Sequence, residues 1–156
     1  MRERPSHLRR AEMSDEDSVT ITVHHRFAVS AERVYDGFLD AATASKFLFR
    51  TPAGRVMTSE IDARVGGKYL FTERRNGEDV NHVGEYLELE RPRKIVFTFG
   101  VPKYSQAVST VTMEIVPCDA GCDLKLTSTG VASEWAERTH EGWSIILRNA
   151  DKVLAA

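Results

Sequence analysis

The sequence predicts an α+β fold in which a curved antiparallel sheet is covered by one long C-terminal helix. Residues 19–29 alternate between apolar and mostly polar side chains, which is typical of a strand with one buried face. Several short segments of strand-like composition, separated by turn residues, follow over 56–129. From Ser133 onward the apolar residues recur at helical spacing, which indicates an amphipathic helix.

Two short helices are predicted directly after the first strand, over 31–39 and 41–48. Ser30 precedes the first helix and belongs to the residue types that cap helix N-termini. The Thr-Pro-Ala-Gly stretch at 51–54 is a turn signal that ends the second helix. The apolar side chains that these two helices are expected to bury are Val34, Tyr35, Phe38, Phe47 and Leu48.

The middle of the chain is predicted to be a β meander. Asn76-Gly77 favours a tight two-residue hairpin turn, because both residue types tolerate positive φ. Further turns are predicted at Gly66-Gly67, at Arg91-Pro92 and at residues 119–121. The predicted strands cover 56–61, 68–74, 82–89, 95–99, 108–116 and 124–129.

The last helix is the only predicted element long enough to cover the apolar face of the sheet. A curved sheet around one helix encloses a space that either packed side chains or a small molecule can fill, and the pattern alone does not separate the two. The strand residues expected to face this space are Tyr69, Phe71, Ile95, Phe97, Phe99, Val111, Met113, Ile115, Leu124 and Leu126.

Composition excludes several classes of protein. The 21 Lys and Arg residues against 23 Asp and Glu give a net charge of −2, so there is no basic excess for nucleic acid. No stretch approaches the roughly 20 apolar residues of a membrane span, and the N-terminus lacks the apolar region of a secretion signal. Two cysteines cannot build a disulfide framework, so a cytoplasmic location with free thiols is expected.

Residues 1–17 differ from the rest because they hold many charges and few apolar anchors. They are predicted to be a flexible tail, with a partner-binding arm as the alternative. Residues 18–156 are predicted to form a single domain.

Few residues point to chemistry. The histidines lack metal-binding spacing, and adjacent His24 and His25 face opposite sides of a strand, so no metal and no cofactor are predicted. His82 and Glu85 are the candidate acid–base groups. Glu85 shares the strand phase of Leu87 and is expected to point inward if no bulge intervenes. Other strand-borne polar residues that could reach the interior are Glu60, Asp62 and Glu73.

Several short motifs occur in a characteristic order. They are Arg26-Phe27, Val34-Tyr35-Asp36-Gly37-Phe38, Asp62-Ala63-Arg64-Val65-Gly66-Gly67-Lys68-Tyr69, Gly84-Glu85-Tyr86-Leu87-Glu88, Arg91-Pro92 and His140-Glu141-Gly142-Trp143. With them the chain resembles the family of the activator of Hsp90 ATPase (AHSA1-like), of the START-like (SRPBCC) superfamily. The resemblance implies the helix-grip fold, which is also called Bet v 1-like. The chain departs from many relatives at Ser30 and at Phe47-Leu48, which alters the shape of the pocket.

The resemblance implies an internal cavity more firmly than an activity. We therefore expect the domain to bind a hydrophobic small molecule or lipid-like ligand between the sheet and the last helix. The alternatives are a chaperone-associated interaction domain, with self-association as a further option, and an enzyme of the cyclase or hydratase type. The predicted ligand-binding residues are Phe38, Phe47, Tyr69, Phe71, Phe97, Phe99, Met113, Trp135, Trp143 and Leu147.

Overall fold

The computed structural model describes residues 18–50 and 54–156. The predicted tail at 1–17 therefore lies outside the described residues, and the division at residue 17 stays a prediction. The strands are β1 (Ser18–Phe27), β2 (Arg55–Ile61), β3 (Lys68–Arg75), β4 (Glu78–Glu90), β5 (Lys94–Phe99), β6 (Ser109–Cys118) and β7 (Gly121–Ala132). The helices are α1 (Ala31–Leu39), α2 (Ala41–Ala44) and α3 (Ala136–Ala155), with a 3₁₀ turn at Ser133–Trp135 before α3.

The seven strands form one antiparallel sheet in the order β1-β7-β6-β5-β4-β3-β2. Register shifts interrupt β1, β2 and β4, and such bulges bend a strand and increase its twist. The sheet curves around α3, which packs on its concave face. The predicted α+β helix-grip fold is confirmed.

The strand faces follow the alternation of the sequence. On β1, the side chains of Ile21, Val23 and Phe27 are buried and those of Thr22 and His24 are exposed. All the strand residues expected to face the interior are buried except Phe99, which is half-buried. The hairpin between β3 and β4 turns at Asn76 and Gly77, whose φ values of 50° and 81° are those of the predicted tight turn.

The two short helices share a capping residue. Ser30 caps α1 as predicted, since its Oγ accepts a hydrogen bond from the Arg33 backbone N–H. Asp40 ends α1 and caps α2 by accepting bonds from the backbone N–H and the hydroxyl of Thr43. The prediction that α2 continues to Leu48 is wrong, because the helix ends at Ala44.

The early end of α2 follows from what the chain buries next. Phe47, Leu48 and Phe49 are three consecutive residues, and all three are buried. Consecutive residues point in directions about 100° apart on a helix, so one helical face cannot bury all three. The chain instead turns, and Phe49 takes a positive φ of 56°.

The C-terminal helix buries part of the predicted apolar stripe, but not Trp135, with which the stripe was predicted to begin. Trp143, Leu147, Ala150 and Leu154 are buried on α3. Trp135 lies in the 3₁₀ turn before the helix and is 43% exposed, with the Arg138 guanidinium 4.9 Å from the ring centroid. The prediction that Trp135 lines the interior is therefore wrong, since the 3₁₀ turn removes it from the α-helical phase.

Two polar contacts fix the helices against the sheet. His25 Nε2 lies 3.0 Å from Asp151 Oδ2, which joins β1 to α3. Arg91 donates two hydrogen bonds of 2.9 Å to the carboxylate of Asp36, which joins the turn after β4 to α1. This second contact links two of the sequence motifs described above, although both partners are more than half exposed and the pair contributes little to stability.

Candidate functional site

The interior between α3 and the sheet is dominated by aromatic rings. Five of them, from β3, β4, β5 and α3, surround the ring of Phe49, and we call these five the aromatic cage. The distances between the ring centroid of Phe49 and those of the cage are 5.0 to 6.0 Å. The members of the aromatic cage are Tyr69, Phe71, His82, Phe99 and Trp143.

The ring of Tyr69 reaches across a neighbouring strand because that strand has a glycine there. Tyr69 lies on β3 opposite Gly84 of β4, and its hydroxyl donates a 2.7 Å hydrogen bond to the carbonyl of Thr98 on β5. A Cβ at Gly84 would lie 2.5 Å from the Tyr69 ring and 1.8 Å from the Thr98 carbonyl. The glycine of the Gly-Glu-Tyr motif thus allows one wall of the cage to form.

The interior holds very little empty space. A small void of about 10 Å³ remains, lined by apolar side chains that include Phe38, Phe97 and Met113. That volume is at the lower limit for one water molecule, and the lining offers a water few hydrogen-bonding partners. Most of the space between sheet and helix is therefore filled by side chains.

An open cleft of about 220 Å³ adjoins the cage. Phe49, Phe99, Trp143 and Ile146 form its apolar part. Its polar lining comes from Arg50, Arg75, His82 and Thr139. A groove of about 860 Å³ also runs between α1 and the end of α3, but charged and hydroxyl side chains line most of it, so it offers little apolar surface. The cleft is the better candidate for an apolar ligand, because it opens directly onto the aromatic cage.

Two polar side chains of the cleft lining, Arg75 and His82, have partners inside the domain. Glu73 is fully buried and accepts a 2.6 Å hydrogen bond from Arg75 Nε. His82 is 4% exposed, and its Nδ1 donates a 3.2 Å hydrogen bond to the carbonyl of Phe71. Burial lowers the pKa of His82 below its ordinary value, so its ring is neutral at neutral pH.

The predicted site residues fall into separate groups. The small void is lined by Phe38, Tyr69, Phe97 and Met113. Phe99 and Trp143 line the open cleft, and Phe71 contacts Phe49 from within the cage. Three other predicted residues line neither space: Phe47 packs against Phe38, Leu147 is buried in the core, and Trp135 is at the surface.

The two acid–base candidates differ in position. His82 lies on the concave face of β4 in register with Phe71, as expected for an inward residue. Glu85 is half-buried and lies on the opposite phase from His82 and Tyr86, so it does not point inward, and the condition of that expectation, a strand without a bulge, is not met. A register shift around Leu87 explains the difference, because Leu87 is exposed while Leu89 packs against the core. Residues 85, 87 and 89 would share one face of a regular strand, but the bulge places Leu89 on the opposite face from Glu85.

Sequence reasoning missed Phe49 and Arg50. The helix predicted over 41–48 ends one residue before Phe49, and the turn predicted at 51–54 begins one residue after Arg50. The available signal was the run of three bulky apolar residues, Phe47-Leu48-Phe49, which a short amphipathic helix cannot bury on one face.

The residues that the structure describes do not include a set of side chains that could hold a metal ion. Among residues 18–50 and 54–156, no group of three or more His, Cys, Asp or Glu side chains is placed to hold an ion. None of the described helices is long and apolar enough to cross a membrane.

A curved antiparallel sheet that encloses an aromatic interior and is closed by one long C-terminal helix defines a helix-grip, START-like domain. The family model described as "Activator of Hsp90 ATPase homolog 1-like protein" matches residues 28–155. The chain belongs to this family.

Solved structures agree with this assignment. Protein CV1439 from Chromobacterium violaceum is 27% identical with a TM-score of 0.78, and the match covers 88% of this chain and 98% of that one. A protein of unknown function, SA2116 from Staphylococcus aureus, is 16% identical with a TM-score of 0.79 over 88% and 94% of the two chains. The AHSA1-like protein from Aeromonas hydrophila is 16% identical with a TM-score of 0.74 over 88% and 92%. The last two likenesses concern the fold alone. A search of curated proteins found no match.

Proposed function

We propose that this domain binds a hydrophobic small molecule or lipid-like ligand in the cleft beside Trp143. The observation that supports the proposal most directly is that three rings of this cluster line the cleft, namely Phe49, Trp143 and the half-buried Phe99. Aromatic walls with a few polar groups at the rim are typical of small-molecule sites. The site thus lies at the edge of the interior space rather than in its middle.

The rim favours a ligand with a polar or anionic end. Arg50 is exposed and has no ion pair or hydrogen bond with any described residue, and Arg75 is paired with Glu73. With His82 neutral, the two arginines and one glutamate leave the rim with an excess of positive charge. A fatty acid or an aromatic carboxylate combines the apolar body and the anionic end that this surface matches.

Trp143 provides the test of binding. Trp135→Phe leaves Trp143 as the only tryptophan, since the chain has two. We expect an anilinonaphthalene sulfonate dye to quench Trp143 emission by energy transfer as it binds. The dye suits the site because it joins apolar rings to an anionic group.

Two adjacent isoleucines offer a matched pair of variants in this background. Ile146 lines the cleft, whereas Ile145 is 39% exposed and does not line it. Ile146→Asp is expected to weaken dye binding by at least about tenfold, because a carboxylate replaces apolar surface beside the dye. Ile145→Asp is expected to leave it unchanged. Equal dye affinity in both variants would contradict the proposed site.

The enzyme alternative depends on Glu73 and His82, since a buried carboxylate and a histidine share one concave face. Both already have partners, Arg75 and the Phe71 carbonyl respectively. We expect His82→Gln to change dye affinity little in a binding protein and to abolish turnover in an enzyme. Glu85→Gln is the control, since Glu85 faces away from the cleft.

The chaperone alternative rests on the family description alone. It predicts that the isolated chain sediments with an Hsp90-type chaperone, and that Ile146→Asp leaves this association intact. We also propose a cytoplasmic location for the domain, whichever of these functions it has. This rests on the small number of cysteines, since the chain has two.

A further inference from the structure

The side chain of Phe49 occupies the place that a planar ligand would take. Its ring is nearly parallel to His82 and to Phe99, with interplanar angles of 3° and 17° and centroid distances of 5.0 Å in both cases. Phe71 and Trp143 approach it edge-on, at 76° and 71°. Stacked faces and edge-on contacts are the two arrangements that aromatic rings prefer.

Phe49 is held there by its ring contacts and not by its backbone. It lies outside any helix or strand, directly after Leu48, whose backbone N–H donates a 2.7 Å hydrogen bond to the Ala44 carbonyl. Its φ of 56° is sparsely populated by residues other than glycine, and it is least favourable for bulky side chains. The contacts inside the aromatic cage therefore offset an unfavourable local conformation.

Phe49 also separates the two empty spaces of the domain. The small void of about 10 Å³ and the open cleft of about 220 Å³ are both lined by this residue. If the ring leaves the cage, the void and the cleft join through the volume that it occupied. The joined space would run from the rim at Arg50 to Met113 on β6.

We propose that Phe49 is an internal substitute for the ligand, and that the natural ligand contains a planar aromatic ring which displaces Phe49 from the aromatic cage. This inference rests on the proposed binding function and adds the class of ligand. The cage selects a flat ring over an aliphatic group of equal size, because the parallel rings of His82 and Phe99 and the edge-on rings of Phe71 and Trp143 match a thin, flat shape.

Displacement has a measurable consequence. A ligand that must first displace Phe49 binds with less than its intrinsic affinity. Its apparent affinity is the intrinsic affinity multiplied by the fraction of molecules in which the cage is empty. Shortening the side chain at position 49 removes that competition. We therefore expect variants at Phe49 to gain affinity for an aromatic probe, which is the opposite of what loss of a contact residue produces.

The experiment compares toluene with methylcyclohexane, which has the same carbon skeleton without the aromatic ring. Binding is followed by Trp143 fluorescence in the Trp135→Phe background. We expect Phe49→Leu and Phe49→Ala to bind toluene at least about tenfold more tightly than the parent, and to prefer it to methylcyclohexane. Phe27→Leu is the matched control, because Phe27 is fully buried on β1 and packs against His25 instead of the cage.

Phe49→Leu retains a large apolar side chain and keeps the experiment decisive if the alanine variant is unfolded. Equal toluene affinity in the parent and the Phe49 variants would overturn the inference. The proposed function is tested separately, by the dye experiment with Ile146→Asp. Equal gains for toluene and methylcyclohexane would overturn the aromatic class of ligand. Failure of all variants to bind toluene would overturn the inference as well.

Discussion

Replacing Trp143 by alanine is expected to lower the free energy of unfolding by about 4 kcal/mol. The side chain is 4% exposed, and its ring centroid lies 5.7 Å from that of Phe49, 6.1 Å from that of Phe99 and 6.3 Å from that of Phe97. Truncating a buried aromatic residue costs about 3–5 kcal/mol, and the three ring contacts favour the upper half of that range. The better helix propensity of alanine offsets about 0.5 kcal/mol.

Urea denaturation followed by circular dichroism measures this loss. With a slope of about 2 kcal/mol per molar urea, the midpoint should fall by about 2 M. Trp135→Ala is the matched control, since Trp135 is 43% exposed, and it should cost less than about 1 kcal/mol. Equal losses for the two variants would refute the assignment of Trp143 to the core and of Trp135 to the surface.

Three further predictions concern His82, Gly84 and Gly142. Because burial lowers the pKa of His82 in the folded chain, the unfolded chain binds the proton more tightly, so stability should decline as the pH falls below the ordinary value of 6.5. Urea titrations at about pH 7.5 and about pH 5.5 measure the loss of free energy of unfolding between the two pH values. This loss should be smaller in His82→Gln than in the parent, and an equal loss would contradict the prediction. Gly84→Ala should destabilise by about 3 kcal/mol or more, since its Cβ would lie 1.8 Å from the Thr98 carbonyl. Gly142→Ala should instead stabilise α3 by up to about 1 kcal/mol, because nothing lies within 4 Å of its Cβ. Thermal melts of both alanine variants test these signs, and a stable Gly84→Ala would contradict the close approach.

The elements that the sequence predicts best are those in which one local pattern decides the outcome. Alternation along β1 determined which side chains of that strand are buried, and the Asn76-Gly77 pair determined the hairpin between β3 and β4. The stripe on α3 identified Trp143, Ala150 and Leu154 as buried, because a regular helix keeps a constant phase along its length. In each case neighbouring residues suffice to set the geometry.

The errors occur where the phase of an element changes. Glu85 was expected to face inward, but the bulge at Leu87 shifts the strand between residues 85 and 89. Trp135 was assigned to the helical stripe, but it lies in a 3₁₀ turn with a different rotation per residue. Both changes depend on how the chain packs against distant segments, so no local pattern marks them.

Phe49 differs from these cases because its own segment signals only that the residue is bulky and apolar, and does not signal which rings surround it. Its surroundings come from β3, β4, β5 and α3, which are distant in sequence and meet only in the folded chain. A domain of this fold that held its interior open would lose the packing contacts around the open space. With Phe49 in the cage those contacts are made by the chain itself, and a ligand that enters exchanges one set of ring contacts for another. Binding strength is then set by the difference between the two sets, and substitutions at position 49 should change stability and affinity in opposite directions.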